Sequence, residues 1–278
     1  MVKRSSGILL PISSLPSPYG IGTLGKEAYD FIDFLNKSGQ SWWQVLPIGP
    51  TSYGDSPYQS FSIFAGNPYF IDLDELVEKG LLKKVEIEER FWGDEEDHVD
   101  YGAIFNSRFD VLRLAAERGL AGDRRAFDLF VRENPWVETY AQFMAIKSYF
   151  GMKSWTEWDD EDIRMRKSDA VRKYTEKLHG DILFYEYIQF LFDGQWSRLK
   201  EYAHKNGVSI IGDVPIYVAL DSADVWAEPR FFQLDEKNVP VKVAGVPPDA
   251  FTEDGQLWGN PLYDWDAMAK DGFGWWIR

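Results

Sequence analysis

Residues 41–48 read Ser-Trp-Trp-Gln-Val-Leu-Pro-Ile, an apolar run with the length of one buried β-strand. Apolar side chains recur at helical spacing across residues 28–35, just before this run, and Gly39 stands where that helix should end. Residues 7–10, Gly-Ile-Leu-Leu, are a short strand candidate ahead of the helix. A strand, a helix and a second strand within about 40 residues predict an α/β fold with a parallel sheet.

The next strand candidate, residues 208–213, ends in the carboxylate of Asp213. Ligands of parallel α/β folds bind at the carboxyl ends of the strands. A carboxylate there could accept hydrogen bonds from sugar hydroxyls or stabilise a developing positive charge. The alternative interpretation is that Asp213 is structural and caps the turn that follows the strand.

Charged residues become dense from residue 84 onward, which marks a change in the organisation of the chain. Helical patterns follow at residues 105–118, 123–133, 136–150 and 169–179. We therefore predict three parts: residues 1–83 with the first strands, a helical insertion at 84–180, and a return to the sheet at 181–278. The last part begins with a long amphipathic helix over residues 188–203.

The composition limits the possible partners of this chain of 278 residues. A formal net charge of -15 and a pI of about 4.7 argue against nucleic acid and anionic membranes, which need basic patches. No run approaches the roughly 18 apolar residues of a membrane span. The absence of Cys excludes disulfides, and a cytoplasmic location is the simplest expectation. No phosphate-binding loop and no metal-ligand spacing occurs, so we expect neither a cofactor nor a metal.

A long loop that is both aromatic and polar follows the strand at 41–48. Residues 53–69 read Tyr-Gly-Asp-Ser-Pro-Tyr-Gln-Ser-Phe-Ser-Ile-Phe-Ala-Gly-Asn-Pro-Tyr. Long loops in compact domains are usually functional, and aromatic faces beside hydroxyl, amide and carboxylate groups suit a sugar. The alternative is a packed loop whose aromatic side chains have no part in binding.

A second aromatic and polar segment, residues 245–263, is framed by glycine and proline at both ends. It is predicted to be a loop, and it could be a flap that moves on its glycines and carries Trp258 to a substrate. The alternative is a rigid surface loop with Trp258 docked into the core.

Seven short motifs in this order resemble the 4-α-glucanotransferase family, also known as amylomaltase or disproportionating enzyme. They are Gly-Asp-Ser-Pro-Tyr-Gln-Ser at 54–60, Gly-Asn-Pro-Tyr at 66–69, Gln-Phe-Leu-Phe at 189–192 with Gln-Trp at 195–196, Gly-Asp-Val-Pro-Ile-Tyr-Val at 212–218, Asp-Ser-Ala-Asp-Val-Trp at 221–226, Gly-Val-Pro-Pro-Asp at 245–249 and Gly-Gln-Leu-Trp-Gly-Asn-Pro at 255–261. Each motif is moderately specific, and the ordered set, which extends over nearly the whole chain, is highly specific.

The resemblance implies the N-terminal part of a (β/α)₈ barrel that carries a large helical insertion. It also implies action on α-1,4-glucans by a retaining double displacement, in which one carboxylate attacks the anomeric carbon and another protonates the leaving oxygen. The 4-hydroxyl of another sugar then takes the covalent intermediate in place of water. The expected partner is therefore an α-1,4-glucan or maltooligosaccharide.

The resemblance also implies roles for individual residues. Tyr58 should stack on the donor sugar next to the scissile bond, and Asp213 should hold hydroxyls of that same sugar. A further set would line the acceptor side or the groove: Asp249, Gln256 and Trp258 on the acceptor side, Tyr53 and Ser56 near the groove.

This chain departs from the family pattern in one respect. The Arg-X-Asp-His motif that carries the family's nucleophile does not occur before Arg278, and three strand candidates are recognisable where a closed barrel needs eight. We expect the chain to be the N-terminal portion of the enzyme, with the nucleophile and the acid/base beyond Arg278. Alone, it is expected to bind part of a glucan and to be inactive.

Two alternatives stay open at this point. A non-catalytic α-glucan-binding module or scaffold could keep the aromatic loops without the chemistry. An α-glucan hydrolase would share the same motifs, because transfer and hydrolysis differ in how the site excludes water and admits an acceptor sugar.

Overall fold

The first three strands of the chain form a parallel sheet. The computed structural model describes residues 4–52, 54–94, 97–122 and 124–278. Strands β1 (Gly7–Leu9), β2 (Trp42–Gln44) and β3 (Ser209–Ile211) lie in the order β1-β2-β3, all parallel. The three strands predicted from the sequence are confirmed, although each is shorter than predicted. The middle strand cannot extend far, because Pro47 has no N–H to donate to a sheet.

Helix α1 (Lys26–Lys37) packs its apolar face inward, as its sequence pattern predicts. Ala28, Ile32 and Leu35 are fully buried, and the ring of Phe31 meets the ring of Trp43 edge to face, with 5.1 Å between centroids. The helix ends just before Gly39, whose φ of 74° is the left-handed conformation that glycine adopts without strain. This β-α-β arrangement confirms the α/β class.

Helices make up most of the remaining structure. The α-helices are α2 (Leu73–Glu78), α3 (Lys84–Glu88), α4 (Tyr101–Leu120), α5 (Arg125–Glu133), α6 (Trp136–Tyr149), α7 (Glu161–Arg164), α8 (Ser168–Lys177), α9 (His179–Lys205), α10 (Ala223–Ala227), α11 (Trp265–Lys270) and α12 (Gly274–Ile277), with 3₁₀ turns at Ile12–Ser14, Pro68–Phe70, Trp155–Glu157 and Pro229–Phe231. The predicted helices in residues 105–203 are confirmed as α4, α5, α6, α8 and α9. Within the described ranges, none of these helices has the length and apolar character that crossing a bilayer requires.

The prediction of a loop over residues 245–263 is wrong. Strands β4 (Val243–Val246) and β5 (Gln256–Pro261) form an antiparallel hairpin there. Sequence periodicity missed it because β5 is mostly exposed and so shows no alternation of apolar and polar residues. Gly245 belongs to the pairing itself, since a Cβ at this position would collide with the carbonyl oxygen of Gln256 across the hairpin.

Packing divides the chain into two compact units. The first unit contains residues 1–50, 65–137 and 183–214. The second unit contains residues 51–64, 138–182 and 215–278. The parallel sheet therefore belongs to the first unit and the β4–β5 hairpin to the second. The division into 1–83, 84–180 and 181–278 remains a prediction.

Two glutamines of α9 bind the backbone of Gly66 and Asp72, in the segment that precedes α2. Gln189 accepts a hydrogen bond from the Gly66 N–H (2.8 Å) and donates to the Gly66 carbonyl (2.9 Å). Gln195 repeats the pattern with the backbone of Asp72, at 2.7 Å and 3.1 Å. A side-chain amide offers the same donor and acceptor as a neighbouring strand. Both glutamines are buried, so these bonds satisfy backbone groups that water cannot reach.

Gly66→Ala should destabilise the protein, because the new methyl group would overlap with the ring of Phe192 beside the Gln189 contact. The expected loss in free energy of unfolding is about 1–3 kcal/mol, the usual cost of overpacking. Chemical denaturation measures it.

The matched control is Gly194→Ala, the same change in the middle of α9. The nearest atom to a Cβ there is Nη1 of Arg198, at 3.4 Å on a flexible side chain. Relief of the glycine penalty should raise stability by about 0.5–1 kcal/mol. Equal effects of the two substitutions would contradict the packing described for Gly66.

Candidate functional site

Residues 54–64, called the aromatic loop below, present Tyr58 on a short turn. Thr51 and Ser60 pair as an antiparallel bridge, and the Ser56 hydroxyl accepts a hydrogen bond from the Tyr58 N–H at 3.3 Å. The turn leaves the Tyr58 side chain 44% exposed. An exposed ring on a closed turn can offer a face to a ligand. Tyr53, also predicted as a site residue, lies outside the described residues.

A buried asparagine joins the aromatic loop to the end of β5. Gln59 donates from Nε2 to Oδ1 of Asn260 at 3.2 Å. Asn260 in turn donates from Nδ2 to the carbonyl of Val218 at 2.8 Å. Because Asn260 is buried, its amide must be satisfied internally, and these two bonds fix both of its ends. The loop next to Tyr58 is therefore tied to the segment that follows residue 215.

Two more residues, Ala223 and Asp224, hold the loop a few residues further along. The Ala223 N–H donates to the Phe61 carbonyl at 2.8 Å. The Asp224 carboxylate accepts from the Ile63 N–H at 3.1 Å and from the Ser62 hydroxyl. Gln59, Phe61 and Ile63, the three anchored residues, all follow Tyr58 in the chain, so Tyr58 is held from its C-terminal side only.

Asp224 is an unusual acid because its carboxylate is buried. Burial raises the pKa of Asp224 from its ordinary value of 3.8 to about 6, against the opposing effect of its hydrogen bonds from Ile63 and Ser62. The free-energy cost of desolvating the carboxylate therefore exceeds the stabilisation from its hydrogen bonds. Asp224 binds the aromatic loop, but its ionised form lowers the stability of the protein at neutral pH.

The β4–β5 hairpin carries three of the predicted site residues. Gln256 accepts a hydrogen bond from the Trp258 indole N–H at 2.9 Å, which fixes how the indole is turned. The Trp258 ring lies 6.3 Å from the ring of Tyr217, centroid to centroid, and is 40% exposed. The alternative that Trp258 docks into the core is therefore wrong.

Asp249 shapes the tip of the hairpin. Its Oδ1 accepts hydrogen bonds from the N–H groups of Phe251 (2.8 Å) and Thr252 (3.1 Å), which closes a turn. The turn pushes the Phe251 ring out to 92% exposure. Oδ1 of Asp249 therefore stabilises the turn, and Oδ2 is the oxygen that could contact a ligand.

Asp213 lies two residues beyond the end of β3, at the carboxyl edge of the parallel sheet. Its side chain is half-buried. It belongs to the first unit, whereas Ser56, Tyr58 and the hairpin residues belong to the second. The Gln59–Asn260 bond ties the aromatic loop, with Ser56 and Tyr58, to the end of the hairpin strand that carries Gln256 and Trp258. Asp213 lies at the carboxyl end of β3, as the sequence predicts.

Sequence reasoning did not identify Asn260 and Asp224 as anchors. Both lie in motifs that carry the family resemblance, at 221–226 and 255–261. No local signal marks both residues, because the segment 221–226 is mostly buried whereas the segment 255–261 is mostly exposed. Their partners could not be found from the local sequence either, because these lie 161 and 201 residues away along the chain.

Comparison with known proteins identifies related sequences over the full length of the chain. A family model described as 4-alpha-glucanotransferase matches residues 10–278. A 4-alpha-glucanotransferase of Streptococcus pneumoniae is 51% identical over 100% of this chain and 55% of its own length. One from Clostridium butyricum is 52% identical over 96% of this chain and 55% of its own length.

A solved structure has a closely similar backbone over the matched part. It is described as amylomaltase from Streptococcus agalactiae in complex with acarbose, and it shares 47% identity with a TM-score of 0.96. The match covers 99% of this chain and 56% of that one. The chain therefore spans a little over half the length of these relatives.

Asp224→Asn should change how stability depends on pH. The folded pKa of Asp224 lies above its unfolded value, so the stability that the protonated acid contributes is present below pH 4 and lost as the pH rises through about 6. Asn has no such dependence. From pH 4 to pH 7 the free energy of unfolding of the variant should rise relative to the parent by up to about 3 kcal/mol.

The control is Glu86→Gln, which should behave in the opposite way. Hydrogen bonds from Arg118 lower the pKa of Glu86 to about 2, so its contribution is present above pH 4.5 and lost as the pH falls. Relative to the parent, this variant should therefore lose stability as the pH rises. A difference between Asp224→Asn and the parent that stays constant from pH 4 to pH 7 would contradict the assignment.

Proposed function

The chain belongs to the 4-α-glucanotransferase family, and on this basis we propose that the protein transfers segments of α-1,4-glucan between maltooligosaccharides. The transfer proceeds by a retaining double displacement with a covalent glucosyl-enzyme intermediate. The observation that carries the proposal is the family match over residues 10–278, which includes every motif noted in the sequence. Because the relatives are nearly twice as long, the activity is proposed for the whole protein.

The parallel sheet fits the start of a (β/α)₈ barrel. In this proposal β1, β2 and β3 are consecutive barrel strands, and the helices between β2 and β3 include a large insertion at residues 84–180. Barrel enzymes bind their substrates at the carboxyl ends of the strands. Asp213 follows β3 at that end, which supports its assignment to the hydroxyl groups of the donor sugar.

Tyr58 is proposed to stack on the donor sugar beside the scissile bond. A sugar ring has an apolar CH face, and an exposed aromatic ring covers such a face while its edge remains in water. The anchors at Gln59, Phe61 and Ile63 hold the loop in place before a ligand arrives. Ser56 and Tyr53 are assigned to the groove beside Tyr58.

The hairpin is proposed to form the acceptor side. Trp258 offers an indole whose orientation is set by Gln256, and the remaining lone pairs of Gln256 and Asp249 can accept from sugar hydroxyls. An element that covers the covalent intermediate excludes water and so favours transfer over hydrolysis. This is the reason for preferring a transferase to a hydrolase.

The catalytic carboxylates are not assigned to any residue of this sequence. Its 278 residues contain no Arg-X-Asp-His motif. We therefore propose that these residues bind and orient the glucan, that they turn over no substrate on their own, and that the whole protein needs neither a metal nor a cofactor for the reaction.

Incubation of the full-length protein with maltotriose tests the proposed function. Transfer should yield glucose together with maltopentaose and longer products, detected by chromatography. Glucose and maltose without longer products would identify a hydrolase. Binding of maltotriose without any product would favour a non-catalytic glucan-binding module.

Tyr58→Ala should weaken maltooligosaccharide binding to the full-length protein roughly three- to tenfold, because removal of an aromatic contact costs about 0.5–1.5 kcal/mol. Isothermal titration calorimetry with maltoheptaose measures it. Tyr149→Ala is the matched control, since Tyr149 of α6 is a tyrosine of similar exposure, 48%, outside the proposed site. Equal losses in the two variants would remove Tyr58 from the binding surface.

A further inference from the structure

We propose that Lys147 of α6 is a positioning residue for the aromatic loop and, through that loop, for Tyr58. The inference rests on the proposed function, because the loop matters to activity only if Tyr58 binds a sugar. In this proposal α6, a helix within the predicted insertion at residues 84–180, contributes indirectly to glucan binding.

The Lys147 ammonium group is enclosed by protein. Its side chain is 2% exposed, and Nζ donates to Asp221 Oδ2 at 2.5 Å and to the Lys153 carbonyl at 2.9 Å. An ammonium group out of water is strongly destabilising unless its partners stay in place. Small displacements of these partners are therefore costly, and Lys147 is a rigid reference point within the second unit.

The aromatic loop touches this reference point directly. Nζ of Lys147 lies 5.0 Å from the centre of the Phe61 ring, within the range of a cation–π interaction. The Ala223 N–H, two residues after Asp221, donates to the Phe61 carbonyl at 2.8 Å. Phe61 therefore has two supports. Lys147 contacts its ring, and Ala223 binds its backbone carbonyl. Ala223 follows Asp221, the ion-pair partner of Lys147, so both supports depend on the same segment.

A second support keeps the segment in place without Lys147. Asp221 Oδ1 accepts from the Trp155 N–H at 3.1 Å, and the Trp155 indole donates to the Leu220 carbonyl at 2.7 Å. Removal of the ammonium group should therefore leave this segment attached and release the ring side of Phe61. Tyr58 precedes Phe61 by three residues in the same loop, so we expect the release of Phe61 to loosen the placement of the Tyr58 ring, with the Gln59–Asn260 bond as the remaining support between them.

The first readout is amide hydrogen exchange of the full-length protein with Lys147→Met. Peptides that cover residues 54–64 should exchange about tenfold faster than in the parent, because the loop opens locally more often. Lys153→Met is the matched control: it makes the same chemical change on an exposed side chain, and it leaves the backbone carbonyl that Lys147 contacts. The control should keep the parent's exchange rates.

The second readout separates positioning from a general loss of stability. Lys147→Met should weaken maltoheptaose binding roughly threefold in the parent, no more than Tyr58→Ala does, and by little in the Tyr58→Ala background, because both changes act on one contact. Additive effects would overturn the proposal, since a structural role independent of Tyr58 acts equally in both backgrounds.

A milder variant provides a second test in case the Lys147→Met protein does not fold. Phe61→Leu removes the ring contact and leaves the Lys147–Asp221 ion pair intact, and it should speed exchange in residues 54–64 in the same way. Parent-like exchange in both variants would overturn the inference. Failure of the parent to bind maltoheptaose would instead refute the proposed function, and the exchange readout would still decide the placement of the loop.

Discussion

Buried backbone groups in a long irregular loop must find hydrogen-bond partners, because no neighbouring strand supplies them. In this chain, side chains from distant parts of the sequence fill that role. Gln189 and Gln195 bind the backbone of residues 66 and 72, and Asp224 binds the Ile63 N–H. Both glutamines act over 123 residues of sequence. The tertiary environment therefore supplies these loop residues with the backbone hydrogen bonds that a neighbouring strand supplies in a sheet.

Local elements of this fold could be predicted from the sequence, because their signals are local. Apolar spacing located α1, and the long helix α9 and the three parallel strands followed from periodicity and turn residues. The β4–β5 hairpin could not be predicted. Its strand β5 is exposed on most positions, and its pairing depends on the missing side chain of Gly245, which sequence reasoning takes for a loop signal.

The site divides in the same way. Tyr58 and Trp258, which are proposed to bind the ligand, stand out in the sequence, because they are aromatic residues in segments rich in polar residues and glycine. The residues that hold them do not stand out. Lys147 belongs to a helix with an ordinary pattern, and its partner Asp221 lies 74 residues further on, so only the folded structure shows that its charge is buried. The role of Asp224 is hidden from the sequence in the same way, because its partner Ile63 lies 161 residues earlier in the chain.

The proposed ligand, an α-1,4-glucan, is uncharged, and this gives the anchoring of the loop a purpose. A net charge of -15 does not attract such a ligand, so its affinity would come from stacking and hydrogen bonds, both of which are short-ranged. A loop that had to become ordered on binding would lose part of that affinity to entropy. The anchors at Gln59, Phe61 and Ile63 order the loop beforehand, at every second residue after Tyr58. Under the proposed function, the burial of Asp224 and Lys147 serves binding, because both side chains contact the aromatic loop that carries Tyr58.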